Sequence, residues 1–161
     1  MKTGLPHSPF KLALSEQLRK EAEAGSSIDG EHRMIRDLCS ELEEIADALP
    51  SAPPLRQVTA IAAALRAGIP AHCHHEESEL RQRLQSLPGA PAWIAVALQR
   101  LEDEHRENEP LGHELADALE DIAGDGRVGN PEALGYMLRM YFQTLRRHLA
   151  WEEFILNHVS R

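Results

Sequence analysis

The sequence predicts an all-α protein, an up-down-up-down four-helix bundle with a short N-terminal extension. Three observations predict it. Ala, Leu, Glu and Arg dominate the composition and β-branched runs are nearly absent, which favours helix over strand. Four segments place apolar residues at steps of three and four, the period of one helix face. Proline and glycine gather between those segments, at Pro50 to Pro54, Leu87 to Pro91 and Gly124 to Pro131.

The first helix is expected over Ser27–Leu49, with the stripe Ile28, His32, Ile35, Cys39, Leu42, Ala46 and Leu49. The second, about Pro54 to Leu87, carries Val58, Ile61, Leu65, Ile69, His72, Glu76 and Leu80. The third, about Pro91 to Ile122, carries Ile94, Leu98, Leu101, His105 and Glu109, then Leu115, Leu119 and Ile122. The fourth opens with Asn130 as cap and Pro131 in the first turn, then runs through Leu134, Leu138, Tyr141, Leu145, His148, Glu152 and Ile155. Short connections make consecutive helices antiparallel neighbours. Pro70 and Pro110 fall inside helices two and three, and each is expected to kink or bulge its helix. Residues 1–26 form the N-terminal arm, in which Ser8 to Ala24 has the makings of a further helix, and 27–161 form the bundle.

A chain of 161 residues suits one domain with one sizeable core. Its formal net charge of −9 argues against nucleic acid and against anionic lipid as partners. No stretch approaches the roughly 20 apolar residues that span a bilayer. Cys39 and Cys73 are too few for a disulfide framework and read as small, partly buried thiols. With no secretory h-region near the N-terminus, a reducing cytoplasm is the expected compartment.

The chemistry lies where polar residues interrupt the apolar stripes. Helix one offers His32, helix two His72 and Glu76, helix three His105 and Glu109, helix four His148 and Glu152. In the last three helices the spacing is four, which stacks both side chains on one face about 6 Å apart. The four groups also share a depth. His32 and His72 each stand about 17–18 residues from the first turn, roughly 25 Å along the axis. His72 and His105 are similarly matched about the second turn, and His105 and His148 about the third. Imidazoles and carboxylates meeting in an apolar interior need a partner, and their nitrogen and oxygen donors suit iron, manganese or zinc. Carboxylates from opposite helices favour a bridged pair of ions, and the absence of thiolates from the set excludes a Cys-rich zinc site. The ferritin-like arrangement needs Glu-x-x-His on two helices, and here only Glu102 and His105 have that spacing.

Four strings carry a resemblance: IDGEHR at 28–33, PAHCHHEE at 70–77, LEDEHRENE at 101–109 and HLAWEE at 148–153. Together they resemble the signature segments of the hemerythrin-like HHE cation-binding domains. That likeness implies two iron ions, oxo- or hydroxo-bridged, with manganese or zinc as substitutes. His32 and His72 would hold one, His105, His148 and Glu109 the other, with Glu76 and Glu152 bridging. Oxygen-carrying hemerythrins differ in two places, with histidine where Glu109 stands and a His-x-x-x-x-Asp spacing on the last helix. Glu109 would add negative charge, favouring ferric iron and easier autoxidation. The function implied is binding or sensing of a small gas or peroxide ligand (oxygen, nitric oxide, hydrogen peroxide). The alternative is a di-iron enzyme of oxidative or nitrosative stress, either a peroxidase or oxidase or an iron donor for iron–sulfur repair.

The remaining polar residues read as surface. His74 and His75 fall off the stripe and are expected to face solvent, with Glu77, Glu79 and Glu153 on solvated faces. His7, His113 and His158 are off-pattern or terminal. Tyr141 lies on the His148 face, either as core packing or hydrogen-bonded near the ligands. Trp93 and Trp151 are expected to pack.

Overall fold

In a computed structural model of the chain, residues 28–86, 89 and 91–159 are described. Every regular element among them is helical. The expected helix between Ser8 and Ala24 lies outside the described residues.

Helix α1 spans Ile28–Ala48. Helix α2 starts as Leu55–Ala63, widens into a π-helical turn at Ala64–Gly68 and continues as Ile69–Gln85. Helices α3 and α4 span Ala92–Asp125 and Pro131–Val159. Proline punctuation acts as the sequence suggests. Pro54 and Pro91 precede the first turns of α2 and α3, and Pro131 opens α4, where a missing N–H costs nothing. Asn130 caps α4, its Oδ1 accepting the Ala133 N–H at 3.0 Å. Gly126 closes α3 at φ 67°, a left-handed conformation that glycine adopts without strain.

The two internal prolines behave differently. Pro70 cannot donate to the carbonyl of Arg66 and its ring crowds that group, so the chain loosens into the π turn just before it. Pro110 is carried within α3 with no π turn, so no bulge forms there.

All the expected stripe residues of α2 and α4 are buried; Leu49, which ends the expected first stripe just past α1, and Leu98 of α3 are half-buried, and Glu109 is exposed. α1 packs most closely on α4 and α2 on α3, and α3 and α4 also meet. The apolar interior falls into two clusters. The larger draws on all four helices and includes Leu42, Ile61, Leu119 and Leu138. The smaller gathers Leu80, Ile94, Ala97, Leu101 and Ile155. Along each of α2, α3 and α4, the His and Glu residues sit between these clusters. The fold thus sets one polar layer between two dry ones.

Candidate metal centre

Within that layer Glu76 and Glu152 are wholly buried, and His32, His72, His105 and His148 are 1%, 2%, 7% and 4% exposed. Four helices therefore deliver six titratable side chains to a space shielded from water. Their inward atoms form two groups, Glu76, His105, His148 and Glu152 on one side and His32, His72 and Glu152 on the other.

Glu152 joins the two groups. Its Oε2 lies 3.0 Å from His32 Nε2, while its Oε1 meets His148 Nε2 and lies 3.7 Å from His105 Nε2. Glu76 Oε2 is 3.4 Å from His105 Nε2 and 4.0 Å from His72 Nε2, so this carboxylate also reaches both sides. His105 and His148 bring their Nε2 atoms to 2.7 Å of each other. Donor atoms about 2.1 Å from one ion, at bond angles near 90°, lie roughly 3 Å apart. The spacing in each group is that of a ligand set.

The inner atoms do not satisfy one another. Both oxygens of Glu76, both of Glu152, both ring nitrogens of His32 and Nε2 of His72 are buried without an aligned hydrogen bond, although several stand at ion-pair distance. Leaving such groups unpaired costs about 1–3 kcal/mol each, and more where charged. Electrostatics register the same congestion. Burial, and then the neighbouring Glu152, push the Glu76 carboxyl above its usual range. Burial would raise Glu152 too, but the imidazoles of His105, His148 and His32 close around it and hold it well below that range. Burial opposes charge on His105, yet Cys73, Glu152 and Glu76 beside it raise its pKa. His148 is raised likewise, against burial, chiefly by Glu152. A cluster that retains protons among converging acceptors is one whose protons a cation can replace.

A ring of carboxylates orients three of the imidazoles from outside. Glu31 of α1 accepts from His72 Nδ1 of α2 at 2.7 Å. Glu77 of α2 accepts from His105 Nδ1 of α3 at 2.8 Å, and Glu104 of α3 from His148 Nδ1 of α4 at 2.9 Å. Each helix thus holds the histidine of the next. With Nδ1–H held outward by a carboxylate, Nε2 is the ring atom presented to the centre, and loss of its proton leaves the lone pair that a metal requires. Glu31 is itself wholly buried and its other oxygen accepts from His75 Nδ1 at 2.8 Å. Burial would raise its pKa, but these two histidines hold it below the usual value. Glu31→Ala is expected to weaken metal binding about 10–100-fold. Glu31→Gln should lose less, because its amide oxygen still accepts from His72. Competition with a chromophoric chelator measures both, and wild-type affinity in Glu31→Ala would refute the orienting role.

Of the seven residues expected to bind metal, the structure brings six together: His32, His72, Glu76, His105, His148 and Glu152. Glu109 belongs to neither group, and its side chain is exposed at the rim of a cavity. The reason is register. The inner face of α3 runs Leu98, Leu101, His105, Asn108, Gly112, Leu115, Leu119, in alternating steps of three and four. Glu109 sits one residue, about 100°, past that seam. The redox effect expected of a Glu109 ligand therefore has no basis in this geometry.

Other expectations shift as well. His74 is exposed as expected, but His75 is half-buried against Glu31, and Glu77 holds His105 instead of lying on a solvated face. Glu153 stays at the surface, paired with Arg36. His113 is half-buried, while His7 and the side chain of His158 are not described. Trp151 packs under Arg100 and stacks on Phe154, whereas Trp93 is 40% exposed. Cys39 is buried, its thiol pushed up to about 11 by desolvation, and Cys73 is half-buried beside His105. Tyr141 is buried, and its hydroxyl lies where a side chain at Gly112 would be: a Cβ there would come within 2.7 Å of it. Glu31 and Glu104 were not anticipated. The available signal was their position, each directly preceding a stripe histidine in the sequence.

No described helix is long and apolar enough to cross a membrane. No curated protein and no solved structure matches the chain. The family model described as the hemerythrin HHE cation-binding domain matches residues 24–158, a span that takes in all four helices and every residue of the buried cluster. The chain therefore belongs to the hemerythrin HHE cation-binding family.

Proposed function

We propose that this protein is a non-haem di-iron protein that binds or senses a small diatomic or peroxide ligand. In this reading His32 and His72 hold one iron and His105 and His148 the other, with Glu76 and Glu152 shared. The observation that carries it is the set of unpartnered inner atoms in a layer sealed by apolar clusters, with Glu152 common to both groups. Nitrogen and oxygen donors without thiolate suit iron, and the family's metal is usually iron. Bound iron would supply a change of valence and a coordination position for the small ligand.

The chain's own residues do the rest. Glu31, Glu77 and Glu104 fix the tautomers and directions of three imidazoles. Glu76 and Glu152 supply negative charge that offsets the cations. Leu101 and Ile155 on one side, and Leu145 and Leu149 on the other, keep bulk water from the layer. Metal analysis of the purified protein, with its visible spectrum before and after dithionite, tests the reading. Two irons per chain and a ferric absorption that bleaches on reduction are expected. Stoichiometric zinc with a featureless spectrum would overturn it.

A further inference from the structure

Arg100 and Trp151 belong to neither donor group, yet they close a ring of side chains around one of the imidazoles. On α3, Arg100 stands four residues before Glu104, so the two share a helix face. On α4, Trp151 stands three residues after His148 and shares a face with it. The two faces meet across the bundle. Glu104 Oε2 accepts from His148 Nδ1 at 2.9 Å, and Glu104 Oε1 accepts from Arg100 Nε at 3.0 Å. The Arg100 guanidinium carbon lies 5.3 Å from the centre of the Trp151 ring. These three contacts and one turn of α4 complete the ring.

The ring answers a problem of exposure. Glu31 is wholly buried and has little room to turn, whereas Glu104 keeps 22% of its side chain exposed. A solvated glutamate has many rotamers, and fixing one costs conformational entropy. With a donor on each oxygen, Glu104 is confined to the rotamer that faces His148. Arg100 needs support of its own, because its side chain is 63% exposed and an exposed ion pair is weak and screened by salt. Trp151 supplies that support. Its ring packs on the cluster of Leu80, Ile94, Leu101 and Ile155 and stacks on Phe154 at 5.5 Å. It therefore presents a fixed aromatic face to a flat cation.

We infer that Arg100, seated on Trp151, is a positioning residue for the centre. It fixes Glu104, which fixes the His148 ring, and so an exposed side chain sets how firmly buried metal is held. The inference rests on the reading above only in that His148 holds metal, whichever cation that is.

The test is the rate at which loaded protein, once reduced, gives up ferrous iron to a chromophoric chelator. It is set beside the melting temperature of the stripped protein. Arg100→Ala should release iron about three- to tenfold faster, less than the roughly 10–100-fold typical of losing a direct orienting partner. Its stripped form should melt within about 2 °C of wild type, as a surface substitution does. Arg100→Lys keeps the charge but loses the flat stack, and should fall between the two. Arg81→Ala, which breaks an exposed pair with Glu102, should release iron at the wild-type rate. In a Glu104→Ala background, Arg100→Ala should add nothing, because the link it acts through is gone. Wild-type release from Arg100→Ala, or a full further effect in the Glu104→Ala background, would overturn the inference and leave the metal reading intact. So would a stripped Arg100→Ala protein that melts several degrees early, since the residue would then be a prop of the fold. A wild-type protein that takes up zinc and no iron would overturn the iron reading, and the same comparison with zinc would then decide the role of Arg100.

Discussion

Removing the metal with a chelator lowers the melting temperature by roughly 8–16 °C at neutral pH. A ligand present at about a thousand times its dissociation constant stabilises the fold by about 4 kcal/mol, and for a domain of this size each kcal/mol moves the midpoint by about 2–4 °C. The molecular cause is the polar layer, in which both oxygens of Glu76 and Glu152, both nitrogens of His32 and Nε2 of His72 have no aligned hydrogen bond once metal leaves. The pH dependence has a definite sign. In the stripped protein His105 and His148 have raised pKa values. Their contribution is present below the unfolded value of about 6.5 and is lost as pH rises through the folded one. Glu31 and Glu104 are lowered, by His72 and His75 for the first and by His148 and Arg100 for the second, each against the effect of burial. Their contribution is present above the ordinary carboxylate range and is lost as pH falls through the folded values. Stripped protein is thus most stable on the mildly acid side of neutrality. Protons compete with metal for the same imidazoles, so the gap between loaded and stripped protein widens from about pH 6 to about pH 8. Calorimetry at both pH values measures it. Superimposable melting curves with and without chelator would mean that the layer needs no cation, as a purely structural interaction module would.

Glu152→Ala should remove at least half of the bound metal. Its carboxylate is the one side chain that belongs to both groups of converging donor atoms, and it is wholly buried. Deleting it takes a donor from each side and leaves His32, His105 and His148 facing one another without the negative charge that now lies among them. The cost of such uncompensated burial is about 3–5 kcal/mol, so the stripped variant should also melt earlier than stripped wild type. Glu153→Ala is the matched control. That side chain lies one residue on, is 44% exposed and pairs with Arg36 at the surface. It should bind metal as wild type does, with a stability change within about 1 kcal/mol. Elemental analysis after desalting distinguishes the two variants. Equal, full metal content in both would show that the Glu152 carboxylate does not hold metal.

The helices and the depth of the centre were legible because both depend on local geometry. Steps of three and four in α1 and α4 hold without interruption, and every stripe residue from Ile28 to Ala46 and from Leu134 to Ile155 is buried. Counting residues from each turn sufficed to place His32, His72, His105 and His148 at one level, since an α-helix rises by a constant amount per residue. The error at Glu109 was of the same kind. A step of four from His105 pairs plausible ligands, but the seam of α3 takes three there, through Asn108 to the buried Gly112. Leu115 lies three residues past Gly112 and seven past Asn108, in step with the seam and out of step with Glu109.

Sequence alone thus determined four helical segments, the inward face of each and the level at which their polar residues meet, because periodicity and rise belong to a single helix. Tertiary structure decided which flanking carboxylate meets which imidazole, as Glu31 does His72 and Glu104 does His148. It also decided that a chamber borders His105 and His148. These depend on how neighbouring helices are rotated and offset, and on the π turn that lets α2 pass Pro70. Such quantities are set by the packing of whole side chains between helices, which no single stripe encodes.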